Sequence, residues 1–447
     1  MAAINAANSA GGGTINLARR CQYDLTSVDN SGENGLPVIM TAITVNGNDA
    51  TIDGTGAVRI FEVDGSGGKL SANKLTLTGG SADVGGAIAN FGGTVWLDKV
   101  NVSGNTAVLA GGGIASASIT PTFSPSSTAA SLTLRHSSVN GNHQTEGPSQ
   151  TGMGGLGGGG ILNMDGTATL FRTWVKGNNA QGGVGGGIAS GDYIGLGGRT
   201  VLTVSHSGVN NNVAPHAGGG GIQNLLGSAT VSHSEVDGNT SLNGGGISSG
   251  NQGSPTGTAQ LRLSHSQVNG NTATAGPGGE GPPIAAGGIA NGSNATISHS
   301  EVEHNHVPNG IGAGVVNHGM MAISHSEVNR NVASASGVIG SGGGIVNAQG
   351  PPGTTPSVLT IDHSKVNHNS AGGYGGGIAN GVPLPPGPPP LFGGDLTVRH
   401  SQVRSNSAAH GGGIFNNGGT VTLSKSSVTG NVVDNCEPTN SIAGCTG

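Results

Sequence analysis

From residue 81 onward, apolar and polar positions return in a fixed order. A Gly-Gly-Gly-Ile-x-Asn phrase occurs eleven times, its apolar residue being Ile88, Ile114, Ile161, Ile188, Ile222, Ile247, Ile289, Val315, Ile345, Ile378 or Ile414. Two positions later stands Asn90, Asn163, Asn224, Asn291, Asn317, Asn347, Asn380 or Asn416, and in the other copies Ser116, Ser190 or Ser249. A short alternating run follows, such as Leu132-Thr133-Leu134 or Leu202-Thr203-Val204. Alternation of period two predicts a strand with one buried face. A third phrase, most often His-Ser-x-Val-x-x-Asn, closes the unit with Asn105, Asn142, Asn178, Asn212, Asn239, Asn271, Asn305, Asn331, Asn369, Asn406 or Asn431.

The closest spacings are 25 to 27 residues. A unit of that length with two or three short strands predicts one coil of a parallel β-helix, since a propeller blade needs roughly 40 residues. Stacked at about 4.8 Å, equivalent strands form parallel sheets, and each column of the repeat becomes a ladder. Isolated coils are not expected to fold: about four aliphatic side chains at roughly 1.5–3 kcal/mol each do not offset the ordering of some 25 residues. Stacking and hydrogen bonds between coils must supply the difference. The last Asn column is expected to do this structurally, through tolerance of the left-handed turn conformation and through amide-to-amide bonds. The glycine triplets predict positive φ and close coil contact.

Less regular strands precede residue 81, at Thr14–Leu17, Ile43–Val45, Ala50–Ile52, Ile60–Val63 and Leu75–Leu77, for a total of about fourteen coils. The expected fold is therefore all-β, a right-handed parallel β-helix solenoid. One continuous domain is expected: residues 1–80 as N-terminal cap and irregular first coils, 81–431 as regular coils, and 432–447 as a C-terminal cap. Ala2 to Asn8 reads as a short capping helix.

Composition agrees with a thin, repeated core. Only 2% of the 447 residues are aromatic and 9% charged, while 90 are glycine. The net charge is −6 and no Lys/Arg cluster could neutralise a row of phosphates, so nucleic acid is not an expected partner. No apolar run is long enough for a membrane-spanning helix, and Met1 to Ala10 lacks the basic and apolar regions of a secretory signal. Gly67-Gly68-Lys69-Leu70 lacks the hydroxyl of a phosphate-binding loop, and no cofactor is expected. Cys436 and Cys445 stand close enough in sequence for a small disulfide loop, which would imply an oxidising compartment; Cys21 has no assigned partner.

Ala3-Ile4-Asn5-Ala6-Ala7-Asn8, Cys21-Gln22-Tyr23-Asp24-Leu25, Gly35-Leu36-Pro37-Val38-Ile39, Ile43 to Asn48 and Thr51-Ile52 together resemble the opening of actinobacterial-type right-handed β-helix repeat proteins, and the likeness extends over essentially the whole chain. The Gly-Gly-Gly-Ile and Asn repeats are also similar to those of chlamydial polymorphic outer membrane proteins. The first resemblance implies a pectin-lyase-like β-helix, an extracellular or cell-surface location, and a role in adhesion or display.

On these grounds a non-catalytic, adhesin-like scaffold is the expected function, with a polysaccharide lyase or glycoside hydrolase as the alternative. Glycosidic hydrolysis requires two carboxylates about 5–9.5 Å apart. Asp98, Asp165, Asp237, Asp362 and Asp395 read as isolated, and the best carboxylate column, Glu235, Glu301 and Glu327, also holds Gln267, Lys365 and Gln402, as a solvated face would. Trp96, Trp174, Tyr193 and Tyr374 read as too scattered for a sugar platform. His206, His233, His265, His299, His325, His363 and His400 share one repeat position, after His136 and Arg172 and before Lys425. Stacked, they would form an imidazole ladder that neighbouring rings could use to bind zinc or copper. Insertions at 117–131, 143–157, 250–259, 272–286, 348–357 and 382–394 are rich in Pro, Gly, Ser and Thr, with an extended polyproline segment expected at Pro383 to Pro390. They are the expected contacts for cell-surface glycans or proteins.

Overall fold

Alternating runs become strands because each places Leu, Ile or Val inward and Thr or Ser outward. In Ser131–Arg135, Leu132 and Leu134 are fully buried and the flanking residues are partly exposed. In the computed structural model, residues 1–29, 32–118, 128–145, 156–193, 200–250, 259–274, 285–336, 340–349, 357–383, 391–439 and 442–445 are described. The central parts of the insertions, including 384–390, lie outside the described residues. Two compact units are present: residues 1–217 with 221–223 and 227–229, and residues 218–220 with 224–226 and 230–447.

Both units are right-handed parallel β-helices whose coils carry three sheets. One sheet holds the Gly-Gly-Gly-Ile phrase. In the first unit it aligns Ile88, Ile114, Ile161 and Ile188; in the second, Ile247, Ile289, Val315, Ile345, Ile378 and Ile414. A second sheet carries the alternating run and then, past a corner, the x-Val-x segment, as in Thr167–Phe171 and Trp174–Lys176. Short strands such as His143–Gln144 and His306–Val307 make the third. The early segments belong to the same scheme: Ile43 and Ile52 lie on the single strand Ala42–Asp53, which pairs with Lys69–Thr78. Among the described residues one antiparallel strand pair occurs, between Ile378–Val382 and Leu391–Phe392, with an isolated antiparallel bridge between Ala348 and Gly393.

Between the second and third sheets the buried Asn column is joined by hydrogen bonds. Asn105, Asn142 and Asn178 each donate Nδ2 to Oδ1 of the next Asn, ending on Asn212, at 2.9–3.0 Å. The second unit repeats this from Asn239 through Asn271, Asn305, Asn331, Asn369 and Asn406 to Asn431. The same Oδ1 takes the preceding Asn backbone N–H, and the remaining amide hydrogen meets a valine carbonyl of the coil before, as Asn305 does at Val268. The Asn residues themselves do not adopt the left-handed conformation expected of them. It falls on the residue before: Gly104, Gly141 and Gly177 in early coils, His304, Arg330, His368 and Ser405 later. Placing the turn one residue earlier leaves the Asn free to turn inward.

The glycine triplet divides its work. Its first member takes positive φ, as Gly158 does at 73°, whereas a Cβ on the second, such as Gly159, would run into the backbone of Asn179 and Gly186 in the next coil.

Helix Ala2–Ser9 caps the first unit, burying Ile4 and Ala7 and fixing the following chain through Asn8, which bonds Val38 O at 2.7 Å and Thr41 Oγ at 3.1 Å. Arg59 is buried below it, bound to Glu62 at 2.6 Å, Glu33 at 2.9 Å and Asn34 at 2.8 Å. In the second unit Cys436 pairs alongside Ile414 and is disulfide-bonded to Cys445, while Cys21 of the first unit is a free, exposed thiol.

Removing one interior rung strands several groups at once. In Asn305→Ala the N–H and Nδ2 of Asn271 lose their acceptor and the Val268 carbonyl loses its donor. The expected cost is about 2–5 kcal/mol in denaturant unfolding, and Asn431→Ala, which strands Asn406 and the Val403 carbonyl in the same way, should cost a comparable amount. A cost below about 1 kcal/mol for both would mean that the ladder adds little to stability.

Candidate functional site

The histidine column stands at the corner of the second sheet. Its residues all have positive φ: His136, His206, His233, His265, His299, His325, His363 and His400 between 45° and 51°, with Lys74, Lys99, Arg172 and Lys425 in the same conformation in other coils. Histidine is one of the side chains that tolerate this region. The serine after it continues the corner inward: Ser300 N–H donates to Ser326 Oγ at 3.1 Å, Ser326 to Ser364 at 3.1 Å, and Ser364 to Ser401 at 3.0 Å. The His-Ser pair is thus first of all a corner, with its own hydroxyl ladder.

Outside the corner the imidazoles of His233, His265, His299, His325, His363 and His400 stack face to face, with ring centres 4.6–5.0 Å apart and planes within 19°. In the first unit Phe171 takes the place of a stacking partner, meeting His136 and His206 edge-on at 5.9 and 5.6 Å. Face-to-face stacking constrains metal binding. The nitrogen lone pairs lie in the ring planes, so in parallel rings they run side by side, whereas zinc draws nitrogens to about 2.0–2.1 Å around one point. Among the described residues, Asp362, His363 and His400 are the group of three whose ligand atoms fall within 4.8 Å of one another. There the last two rings tilt to 19°. Asp362 is already shared by His363 at 3.0 Å, His400 at 3.4 Å and Arg399 at 3.2 Å. Burial works against its ionised form, and the hydrogen bonds from His400 and Arg399 outweigh this, holding its carboxyl below the usual range. A cation entering here would have to displace the guanidinium.

Glu301 and Glu327 are neighbours in register, and the row continues to Lys365 and Gln402. Glu327 bonds Lys365 Nζ at 2.7 Å and Gln267 donates to Glu301 at 3.2 Å. The Lys365 hydrogen bond, followed by that of Asn329, holds Glu327 below its ordinary pKa, the wrong direction for a general acid at neutral pH.

Asp165 is not isolated. Met164 pairs with Gly191, so Asp165 and Asp192, the next residues on each strand, stand in adjacent coils, both buried. Neither carboxylate oxygen of Asp165 finds a hydrogen-bond partner, and burial first, then the charge of Asp192, lift its pKa to about 6. Asp237 reaches about 6 as well, chiefly by burial, with Glu235 adding to it and the Asn269 N–H opposing. Asp98 pairs with His136 at 3.0 Å. The Ile and Asn positions of the repeat do not reveal the aspartate pair, whose signal is a shared offset: Asp165 and Asp192 each lie four residues beyond their Ile, at 161 and 188. Beside them, the outer face of the Ile sheet is closed by an apolar cluster including Ala89, Ala115, Leu162 and Ala189, against which Val184 and Tyr193 pack. Burial pushes the Tyr193 hydroxyl well up.

No family model and no curated protein matches the chain. Among solved structures it is similar to the periplasmic alginate epimerase AlgG, at 10% identity and a TM-score of 0.41 over 86% of this chain and 76% of that one. It is similar also to the A-module of the Azotobacter vinelandii mannuronan C-5 epimerase AlgE6, at 13% identity and a TM-score of 0.37 over 95% and 93%. The class defined by the fold is the right-handed parallel β-helix.

Two outcomes follow. Because the corner needs positive φ, His299→Asn should be nearly neutral, whereas the β-branched His299→Val should lower stability by about 1–3 kcal/mol; a costly His299→Asn would show that the ring stack itself is the larger contribution. Asp165 has a folded pKa raised from 3.8 to about 6, so its contribution is fully present below the unfolded pKa and is lost as pH rises through about 6. Asp165→Asn should therefore be more stable than the parent at pH 7, on the order of 1–2 kcal/mol, with the difference in Tm fading toward pH 4.

Proposed function

We propose that the protein is a non-catalytic β-helix scaffold of an extracellular or cell-surface location, presenting its outward columns and insertions to glycans or proteins. One observation carries this reading. The repeating polar residues are consumed in contacts between coils: Asn in the amide ladder, Ser in the hydroxyl ladder, His in the corner and ring stack. Along the outward carboxylate row Glu327 is paired with Lys365 and Glu301 accepts a hydrogen bond from Gln267. Cys436–Cys445 supports an oxidising compartment. No helix among the described residues is long and apolar enough to cross a membrane.

A carbohydrate-active enzyme is a second reading, favoured by Asp165, whose pKa near 6 suits proton transfer and whose partner Asp192 is a second carboxylate in the next coil. Incubation with a panel of acidic and neutral polysaccharides, followed by ultraviolet absorbance for unsaturated products and by reducing-end assay, separates the two. The scaffold gives no turnover. Sustained turnover that disappears in Asp165→Asn would replace it with the enzyme.

A further inference from the structure

The outer face of the second sheet in the first unit is unlike the rest of the surface. The corner column there runs Lys74, Lys99, His136, Arg172, so that cations replace most of the histidines found later. Arg135 and Lys176 flank it on neighbouring strands, and Asp98, held by His136 at 3.0 Å, is the acidic group in register with Arg135. A chain with 16 Lys and Arg in total and a net charge of −6 thus places four of its cations, Lys99, Arg135, Arg172 and Lys176, on three successive coils.

The protein's two tryptophans stand on the same face. Trp96 is 44% exposed and Trp174 50% exposed. Linear sequence makes them look scattered, but register puts Trp96 beside Thr133 and Trp174 beside Ser138, on the two coils that flank the coil of Thr133 and Ser138. The Arg135 guanidinium lies 5.8 Å from the centre of Trp96 and 5.2 Å from that of Phe171, on whose ring Arg172 also rests at 5.1 Å. Trp174 leans over the next coil at Gly208, where any Cβ would strike its ring. A groove of about 400 Å³ runs between Trp174, Arg172, His136 and Lys99, floored by Asn101 and Ser138, whose side chains bond each other at 2.7 Å.

We propose that this groove binds an acidic polysaccharide, a chain of uronic acid sugars, with its carboxylates on Arg172 and Lys99 and a sugar ring against Trp174. Each part of the site answers one part of that ligand. The C–H face of a pyranose is apolar and packs on an exposed indole, whose polar edge stays in water. Guanidinium planes held on aromatic rings are preorganised forks for planar carboxylates. The Asn101 amide and Ser138 hydroxyl suit sugar hydroxyls. An open groove along a ladder of coils admits a chain rather than enclosing a small molecule, and a positive patch on an acidic protein draws a polyanion to this face in preference to others. The proposal rests on the scaffold reading, with this face as the point of attachment.

Trp174 lines the groove and Trp96 lies against Arg135 on the same sheet, so tryptophan emission reports on this face. Titration with oligogalacturonate should give a saturable change in emission that weakens between about 50 and 500 mM NaCl, whereas a neutral cello-oligosaccharide of equal length should give none. Lys99→Asn and Arg172→Asn remove charge with a side chain suited to the corner conformation. Each is expected to weaken binding about tenfold or more, and Trp174→Ser, a residue the column already holds at 138, to weaken it similarly while circular dichroism and Tm stay unchanged. Calorimetry repeats the measurement where an indole has been removed. No saturable response up to millimolar oligogalacturonate, an equal response to the neutral oligosaccharide, or an equal response to inorganic polyphosphate would each overturn the proposal. Binding is read without turnover, so its failure leaves the scaffold standing, and turnover on the polysaccharide panel would overturn the scaffold whatever the fluorescence shows.

Discussion

A primary carboxamide buried in a turn has two N–H groups and two lone pairs to satisfy, and inside a protein each one left unmet costs roughly 1–3 kcal/mol. Here the answer lies in neighbouring coils. Asn331 receives both a backbone and a side-chain hydrogen from Asn305, donates to Asn369, and caps the Val302 carbonyl. An Asn in one coil therefore requires an Asn, or something acting as one, in the next. This requirement locks the register of the sheets on either side of it, and register decides which outward residues become neighbours. The pairing of Glu301 with Glu327, the approach of Asp165 to Asp192 and the convergence of Arg135 with Trp96 and Phe171 all derive from it.

The β-helix was legible because its demands repeat. Ile88, Ile114 and their counterparts mark one sheet, the Leu132-Thr133-Leu134 runs another, and the final Asn the ladder between the second and third. Less legible was anything set by backbone conformation. The column of His206 and His299 looks like chemistry in a linear sequence and is a left-handed corner in space, as Lys74, Lys99 and Arg172 at equivalent positions reveal through their φ angles. For the same reason the left-handed residue beside the ladder precedes the Asn to which sequence alone would give it. Alignment by hydrophobic phrase also could not anticipate contacts between residues outside the phrase, and the Asp165–Asp192 pair and the Trp96–Arg135–Phe171 contact are of that kind.

A division of labour results. Residues facing inward or between coils have few alternatives, since Gly159 has a neighbouring backbone where a side chain would go and Asn305 has three partners. Outward positions are constrained mainly by exposure. They differ between the two units, with cations and aromatics in the first and acidic, amide and stacked imidazole columns in the second. Surface chemistry can thus vary along the coils without disturbing what holds them together.

The amide ladder also has a direction. In the second unit every rung from Asn239 to Asn406 donates toward the higher-numbered coil, so a rung without a successor presents unspent donors and the edge of a parallel sheet. Such an edge is complementary to the first rung of another copy, and head-to-tail contacts that do not close on themselves generate filaments. Asn431 is spared this by Asn435, only four residues further along, which offers its Oδ1 at 3.1 Å in place of another coil, just before the disulfide-bonded Cys436. The tail imitates the repeat for both hydrogen bonds of a rung, so the donors of Asn431 are spent within the chain and do not face an open edge.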